Sequence, residues 1–238
     1  MGAAGIGGWL DGLFLCSATL ATLVALGRRL PLQNVVMTAV IIAAVSGTVV
    51  SLTSVSGVPF GPLQYTAFFG ERIFNVLPWP VPLGWIFLVV NGRGVARLIM
   101  RPWRQTNYYG YWVMGLTCLL AVILDLGLEP FAVAVKGYWV WQTPEAVPAW
   151  YTAPWVNFLS WFVAVLAILI AVMPWLINKH PLKQPMDYQP LILWLMLSGW
   201  IAAGNASHQL WPAIFVSLIG NAVATVFAIR GALYVAKE

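Results

Sequence analysis

The stretch PWVNFLSWFVAVLAILIAVMPWLI (residues 154–177) decides the fold class, because it contains no charged side chain. About 20 consecutive apolar residues suffice for a helix to cross the hydrocarbon core of a bilayer. The whole chain has the same character: 61% of its 238 residues are hydrophobic and only 8% are charged. A soluble globular domain carries roughly 25% charged residues. The composition therefore predicts an integral membrane protein built almost entirely from membrane helices.

Segment length and apolar character predict seven membrane-spanning helices. The sixth gives the weakest signal, because it is short and interrupted by glycine. No soluble domain is left over, so residues 1–238 are expected to form one all-α transmembrane domain. The predicted spans are residues 9–26, 34–55, 81–99, 110–132, 154–177, 189–206 and 211–235.

The charges in the connections predict the topology. Basic residues follow the first, third and fifth predicted helices and close the chain around the end of the seventh. They are Arg28, Arg29, Arg101, Arg104, Lys179, Lys183, Arg230 and Lys237. The connection after the second helix contains Glu71 and Arg72, and the one after the fourth contains Lys136 and Glu145, so positive and negative charges balance in each. The positive-inside rule then predicts an external N-terminus and a cytoplasmic C-terminus, in the inner membrane of a prokaryotic cell. The net charge of +5 thus reports topology and not nucleic-acid binding.

Two acids interrupt the apolar run VILDLGLEPFAV (residues 122–133), in the outer half of the fourth predicted helix. Asp125 and Glu129 are four residues apart, which puts them on one helix face about 6 Å apart along the axis. Ionisable residues in membrane segments usually face the bundle interior or a water-filled cavity. Such a pair favours one protonated acid beside one ionised acid, a pattern found in acid–base sites. Alternatively, Glu129 marks the membrane interface before Pro130, or it pairs with Lys136.

Further polar and aromatic residues are predicted at the same membrane depth. The two longest connections, 54–80 and 136–154, are rich in Gly, Pro and aromatic residues, and we expect them to lie on or dip into the outer leaflet. Within the first, Glu71 and Arg72 form either an exposed ion pair or, given their apolar neighbours, a buried pair. Asn157 starts the fifth helix, where it is either a helix-packing hydrogen bonder or part of a site.

Residue types that are rare or absent exclude several classes of membrane enzyme. The two histidines, His180 and His208, are predicted on opposite sides of the membrane, which excludes di-iron chemistry based on histidine clusters. No lysine lies in the middle of a predicted helix, so a retinal Schiff base is not expected, and no phosphate-binding loop is present. Carboxylates and aromatic rings in an apolar site suit protonation of a lipid-soluble alkene. Indole faces would stabilise the resulting tertiary cation by roughly 0.5–2 kcal/mol.

Four motifs carry a resemblance to a known family: GVPFGPLQYT (57–66), DLGLEPFAV (125–133), YWVW (138–141) and APWVNFLSWF (153–162). Together they resemble the carotenoid-biosynthesis membrane family that includes carotenoid 1,2-hydratases and bisanhydrobacterioruberin hydratase. The resemblance implies hydration of the terminal ψ-end double bond of an acyclic or monocyclic carotenoid, without a redox cofactor or metal. The Asp, Glu and Asn of the family fall on Asp125, Glu129 and Asn157. Ser160 stands where the family usually carries glycine.

Position along the predicted helices suggests a role for each candidate residue. Asp125, the deeper acid, is the expected proton donor, and Glu129 is expected to position the water. Glu71 is a further candidate acid, and the expected substrate-binding residues are Tyr65, Arg72, Trp139, Trp141, Asn157 and Trp161. The expected partners are a carotenoid, membrane lipid and other enzymes of carotenoid biosynthesis. Two alternatives stay open: a carotenoid cyclase or isomerase that uses the same protonation, and a non-enzymatic carotenoid or lipid carrier.

Overall fold

A computed structural model describes residues 3–177 and 187–234, which form a bundle of seven helices. Each predicted span lies on one of them, and most ends agree to within three residues. The largest difference is at the first helix, which begins six residues before its predicted start. The helices are α1 (Ala3–Gly27), α2 (Leu32–Ser56), α3 (Pro80–Ile99), α4 (Tyr109–Pro130), α5 (Trp155–Leu176), α6 (Gln189–Ser207) and α7 (Trp211–Leu233).

Six of the helices in the described part of the chain are long and apolar enough to cross a membrane, and α3 is the exception. The sixth predicted span, the weakest signal in the sequence, is among the six. Helix α3 carries Arg93 and Arg97 in its second half and packs against α1, α2, α4, α6 and α7. These arginines lower its hydropathy: Arg93 is half-buried and donates to the carbonyl of Leu176, and Arg97 is exposed near the helix end.

Within residues 3–177 and 187–234, three two-stranded antiparallel sheets form in the connections at one end of the bundle. The strands are β1 (Leu63–Tyr65), β2 (Arg72–Ile73), β3 (Leu77–Pro78), β4 (Trp139–Trp141), β5 (Ala149–Trp150) and β6 (Ala153–Pro154). Strand β1 pairs with β4, so that Leu63 lies opposite Trp141 and Tyr65 opposite Trp139. The all-α prediction missed these strands, because two or three residues are too few to show a strand periodicity. Their pairing joins the two long connections that were predicted on the same side.

The opposite end of the bundle gathers most of the basic side chains that the structure describes. Arg29 lies 3.3 Å from Asp187, which joins the end of α1 to the start of α6. Arg101 donates to the carbonyl of Ala232, which joins the ends of α3 and α7. These contacts bring the ends of α1, α3 and α7 and the start of α6 to the basic end of the bundle. The predicted orientation in the membrane stays a prediction. The predicted cytoplasmic residues Lys179, His180, Lys183 and Lys237 lie outside the described residues.

Candidate functional site

The two acids of α4 and the asparagine of α5 meet in the interior of the bundle. Asp125, Glu129 and Asn157 are 0%, 3% and 1% exposed. The Nδ2 group of Asn157 donates to Asp125 Oδ2 at 2.8 Å and to Glu129 Oε1 at 3.1 Å. A side-chain amide has two N–H bonds, so both contacts form at once. Asn157 therefore acts as a helix-packing hydrogen bonder and as a bridge within the carboxyl pair.

Strand β4 supplies two more donors to Glu129. Trp139 and Trp141 are two residues apart, so their side chains lie on the same face of the strand. Their indole Nε1 atoms donate to Glu129 Oε2 at 3.1 and 2.8 Å. Glu129 thus accepts three N–H bonds in a buried position. The glutamate does not mark an exposed helix end, contrary to one of the alternatives that the sequence allowed.

The hydrogen bonding of the two acids is asymmetric. Asp125 accepts one N–H bond, at Oδ2, and its Oδ1 atom is buried without a hydrogen-bond partner among the described residues. Ionised carboxylates only accept hydrogen bonds, and several N–H donors stabilise them. The three donors therefore suit an ionised Glu129, whereas the single donor suits a neutral Asp125. A neutral acid beside an anion also avoids two like charges in a buried site.

Tyr65 lies beside the carboxyl pair through its position in β1. Its ring meets the ring of Trp139 edge-on, with centroids 6.0 Å apart, and stacks against Phe69 at 6.2 Å. Burial, and secondarily the charge of Glu129, raises the pKa of Tyr65, so the hydroxyl stays protonated. Tyr65 therefore adds a neutral phenol and an aromatic wall to this end of the site.

Glu71 and Arg72 lie in the β2–β3 hairpin, and the prediction that they are buried is wrong. Both side chains are exposed, and no ion pair joins them in the part of the chain that the structure describes. Their apolar neighbours Ile73 and Phe74 are themselves 44% and 92% exposed, so these neighbours form no core. Arg72 nevertheless contacts the site through the backbone, because its Nη2 donates to the carbonyl of Tyr65. The side chain of Glu71 makes no such contact with the described residues of the site.

Trp161 belongs to an aromatic cluster one helical turn from Asn157. Its ring stacks on Trp85 with centroids 4.6 Å apart, and it meets the ring of Phe60 edge-on with centroids 6.5 Å apart. Trp161 forms no hydrogen bond with the carboxyl pair among the described residues. Ser160, next to it, donates to the carbonyl of Pro59 at 2.8 Å and ties the first long connection to α5.

Lys136 pairs with Asp11 of α1, so the alternative of a Glu129–Lys136 pair is wrong. The Lys136 ammonium lies 2.9 and 2.8 Å from the two carboxylate oxygens of Asp11. Sequence reasoning did not single out Asp11, although it is a lone acid in an apolar helix, the same signal that identified Asp125. Its partner is 125 positions away, which no local pattern reveals.

Pro130 shapes the end of α4, where the site lies. Proline has no N–H, so the carbonyl of Leu126, four residues earlier, has no intrahelical donor. The indole of Trp150 takes that place and donates to this carbonyl at 2.9 Å. The chain then continues into a π-helical turn, Phe131–Val135. The second long connection is thereby fixed to α4 within one turn of both acids.

The carbonyl of Gly127 is the second backbone acceptor released at this helix end. The N–H of Phe131 bonds to Leu128 instead of Gly127. Asn205 of α6 replaces it and donates to Gly127 at 2.9 Å. Since both released carbonyls have partners on neighbouring elements, the backbone that carries Asp125 and Glu129 is held from two sides.

The bundle also contains an apolar cavity of about 230 Å³ between α1, α3 and α6, away from the acids. It is lined by Phe14, Leu15, Ser17, Ala18, Phe87, Leu193, Met196 and Leu197. None of these side chains can exchange a proton near neutral pH, so the cavity lacks the groups for acid–base chemistry. In the described ranges no group of three or more His, Cys, Asp or Glu side chains is placed to hold a metal ion.

Comparison with known proteins places these observations in a family. A family model described as "Carotenoid biosynthesis protein" matches residues 8–224. The chain is also similar to a bisanhydrobacterioruberin hydratase from Haloarcula japonica, with 27% identity over 111 residues. That alignment covers 46% of this chain and 34% of the relative, so the chain spans about a third of the relative's length. No solved structure matches the chain.

Proposed function

Because the chain belongs to the carotenoid biosynthesis protein family, we propose that it is a membrane carotenoid hydratase. The reaction adds water across the terminal 1,2 double bond at the ψ-end of an acyclic or monocyclic carotenoid. The similarity to a hydratase supports this choice of reaction. The main observation behind the proposal is the asymmetric carboxyl pair. Asp125 is buried and has one oxygen without a hydrogen-bond partner among the described residues, and beside it Glu129 accepts three N–H bonds.

In the proposed first step, Asp125 acts as the general acid. It gives its proton to the less substituted carbon of the double bond, and the positive charge develops on the tertiary carbon. The unpartnered Oδ1 atom is the position from which the proton can leave without breaking a hydrogen bond. Burial supports this role, because an apolar surrounding favours the neutral acid and keeps bulk water away from the cation.

In the second step, Glu129 orients a water molecule onto the cation. The water oxygen forms the new C–O bond, and one water proton passes to Glu129 and then back to Asp125. Alkene and water give a tertiary alcohol with no change in oxidation state, so the reaction needs no redox partner. The three N–H donors fix the carboxylate in one orientation, which is what a base that positions water requires.

The aromatic side chains around the acids would support the cation. Trp139, Trp141 and Tyr65 surround Glu129 from β4 and β1. A cation over such a ring gains roughly 0.5–2 kcal/mol. The side chain of Arg72 donates to the carbonyl of Tyr65 and so holds β1 in place. The stacked rings of Trp85 and Trp161 cover the next turn of α5. Carotenoid and membrane lipid are the proposed partners, together with other enzymes of the same pathway.

Expression in cells that make lycopene tests the proposal. A product heavier by one water supports hydration, and Asp125→Asn should abolish it while the protein still accumulates in the membrane. A new product of unchanged mass would contradict hydration and indicate a cyclase or isomerase, in which the cation loses a proton. Extraction of carotenoid with the purified protein, without any new product, would indicate a carrier.

A further inference from the structure

A cluster of Asp11, Lys136 and Tyr138 joins α1 to the segment that leads into β4. Besides its ion pair with Lys136, the Asp11 carboxylate accepts a 2.6 Å hydrogen bond from the hydroxyl of Tyr138. The side chains of Lys136 and Asp11 are 27% and 16% exposed, so the pair is largely shielded. Burial, and then the contact with Asp11, raises the pKa of Tyr138, which keeps its hydroxyl a donor.

Aromatic rings complete the surroundings of Lys136. Its ammonium lies 5.0 Å from the ring centroid of Trp200 and 5.9 Å from that of Phe131. Such rings attract a cation, but Asp11 is its only carboxylate partner among the described residues. Removing one partner of a shielded ion pair is more damaging than removing an exposed one. Asp11 therefore fixes the position of Lys136 and of the residues next to it in the chain.

The segment from Lys136 to Trp141 connects the contacts of Asp11 to the carboxyl site. Thr66 donates to the carbonyls of Gly137 and Tyr138, and the ring of Tyr138 stacks on Phe69 at 4.3 Å. Trp139 is the next residue along the chain, and β4 carries it and Trp141 to Glu129. A shift of Tyr138 therefore moves both indole donors relative to Glu129.

We propose that Asp11 is a positioning residue, which acts through Lys136 and Tyr138 to keep the indoles of β4 on Glu129. This inference rests on the proposed hydratase function for its effect on the reaction. When the indoles shift, Glu129 orients water less well, and the protonated carotenoid returns a proton instead of capturing water. The protonation step itself, at Asp125, stays intact.

Incubation in deuterated water measures how often the protonated carotenoid captures water and how often it loses a proton instead. Membranes that contain the protein and its carotenoid are incubated in deuterated water, and the deuterium in the unhydrated carotenoid is compared with the amount of hydrate. For Asp11→Asn and Tyr138→Phe we expect this ratio to rise about 3- to 10-fold, the factor that corresponds to one weakened hydrogen bond. Glu145→Gln is the matched control, because Glu145 is exposed and lies in the same connection. A ratio does not depend on how much protein folds.

A second readout needs no catalytic activity. The infrared band of the Glu129 carboxylate is identified by subtracting the spectrum of Glu129→Gln, and it should shift in Asp11→Asn but not in Glu145→Gln. If the wild type yields neither hydrate nor deuterium exchange, the hydratase proposal fails, and this band alone decides the role of Asp11. An unchanged ratio and an unchanged band in Asp11→Asn overturn the inference. If that variant does not fold, Tyr138→Phe is judged by the same criteria, since it keeps the stacked ring.

Discussion

Trp141→Phe tests whether the indole donors serve the reaction or only the fold. The substitution removes the N–H that lies 2.8 Å from Glu129 Oε2 and keeps an aromatic ring at the position. A hydrogen bond to a charged group contributes about 1.5–3 kcal/mol. Since 1.36 kcal/mol corresponds to a factor of ten in rate, we expect hydration to slow by roughly 10- to 100-fold. The reason is that a less firmly held carboxylate orients water less often.

Trp150→Phe is the matched control for this experiment. Trp150 lies in the same connection and also donates its indole N–H to α4, but the acceptor is the neutral carbonyl of Leu126. A neutral hydrogen bond contributes about 0.5–1.5 kcal/mol. We expect both variants to lower the thermal unfolding midpoint in detergent. Trp150→Phe should nevertheless keep the wild-type rate of hydration per folded protein, because the Trp150 indole donates to neither acid.

The assay is the rate of hydrate formation from lycopene in membranes, normalised to the amount of folded protein. The reasoning would be refuted if the two variants lost hydration to the same degree, because the Trp141 indole would then contribute no more than any buried donor. It would also fail if Trp141→Phe hydrated at the wild-type rate.

Two further substitutions probe the bridge and the packing of the bundle. Asn157→Leu has a similar shape but removes the one hydrogen bond that Asp125 accepts from the described residues, so hydration should fall at least about tenfold by loss of the charged contact to Glu129 alone; retained hydration would argue against the bridge. Gly231→Ala would push a methyl group into the carbonyl of Leu98 and should lower the unfolding free energy by about 1–3 kcal/mol. Gly115→Ala, which meets nothing within 4 Å, should be neutral or stabilising in the same thermal unfolding measurement.

The helices could be predicted from the sequence because lipid imposes a simple requirement on each of them. Every span needs enough apolar residues to cover its backbone, so length and composition locate it. Helix α3 shows where this requirement weakens. Of its two arginines, Arg93 is half-buried and donates to the carbonyl of Leu176, and Arg97 is exposed near the helix end, so its composition no longer resembles that of a helix in lipid.

The core of the site could also be predicted, because carboxylates within a membrane segment are conspicuous. Asp125 and Glu129 follow from their spacing on one helix, and Asn157 follows from its predicted depth at the start of the fifth helix and from the family resemblance. Which donors reach which oxygen atom could not be predicted. That depends on β4, a strand of three residues whose pairing with β1 bridges more than 70 positions of the chain.

Glu71 shows how local composition misleads. Its apolar neighbours suggested burial, but in a membrane protein exposed apolar side chains are ordinary, so they do not indicate a core. Asp11 is the opposite case. A lone acid in an apolar helix indicates a buried polar contact, and sequence reasoning overlooked it. Its partners Lys136 and Tyr138 lie 125 and 127 positions later in the sequence, and only the packing of α1 brings them together.

The most direct test of the account compares Asp125→Asn with Glu129→Gln in deuterated water. If Asp125 supplies the proton, Asp125→Asn should form no hydrate and leave the recovered carotenoid free of deuterium. If Glu129 handles the water, Glu129→Gln should form no hydrate but still introduce deuterium at the end of the carotenoid. Hydrate formation or deuterium incorporation by Asp125→Asn, above that of membranes without the protein, would contradict the central claim.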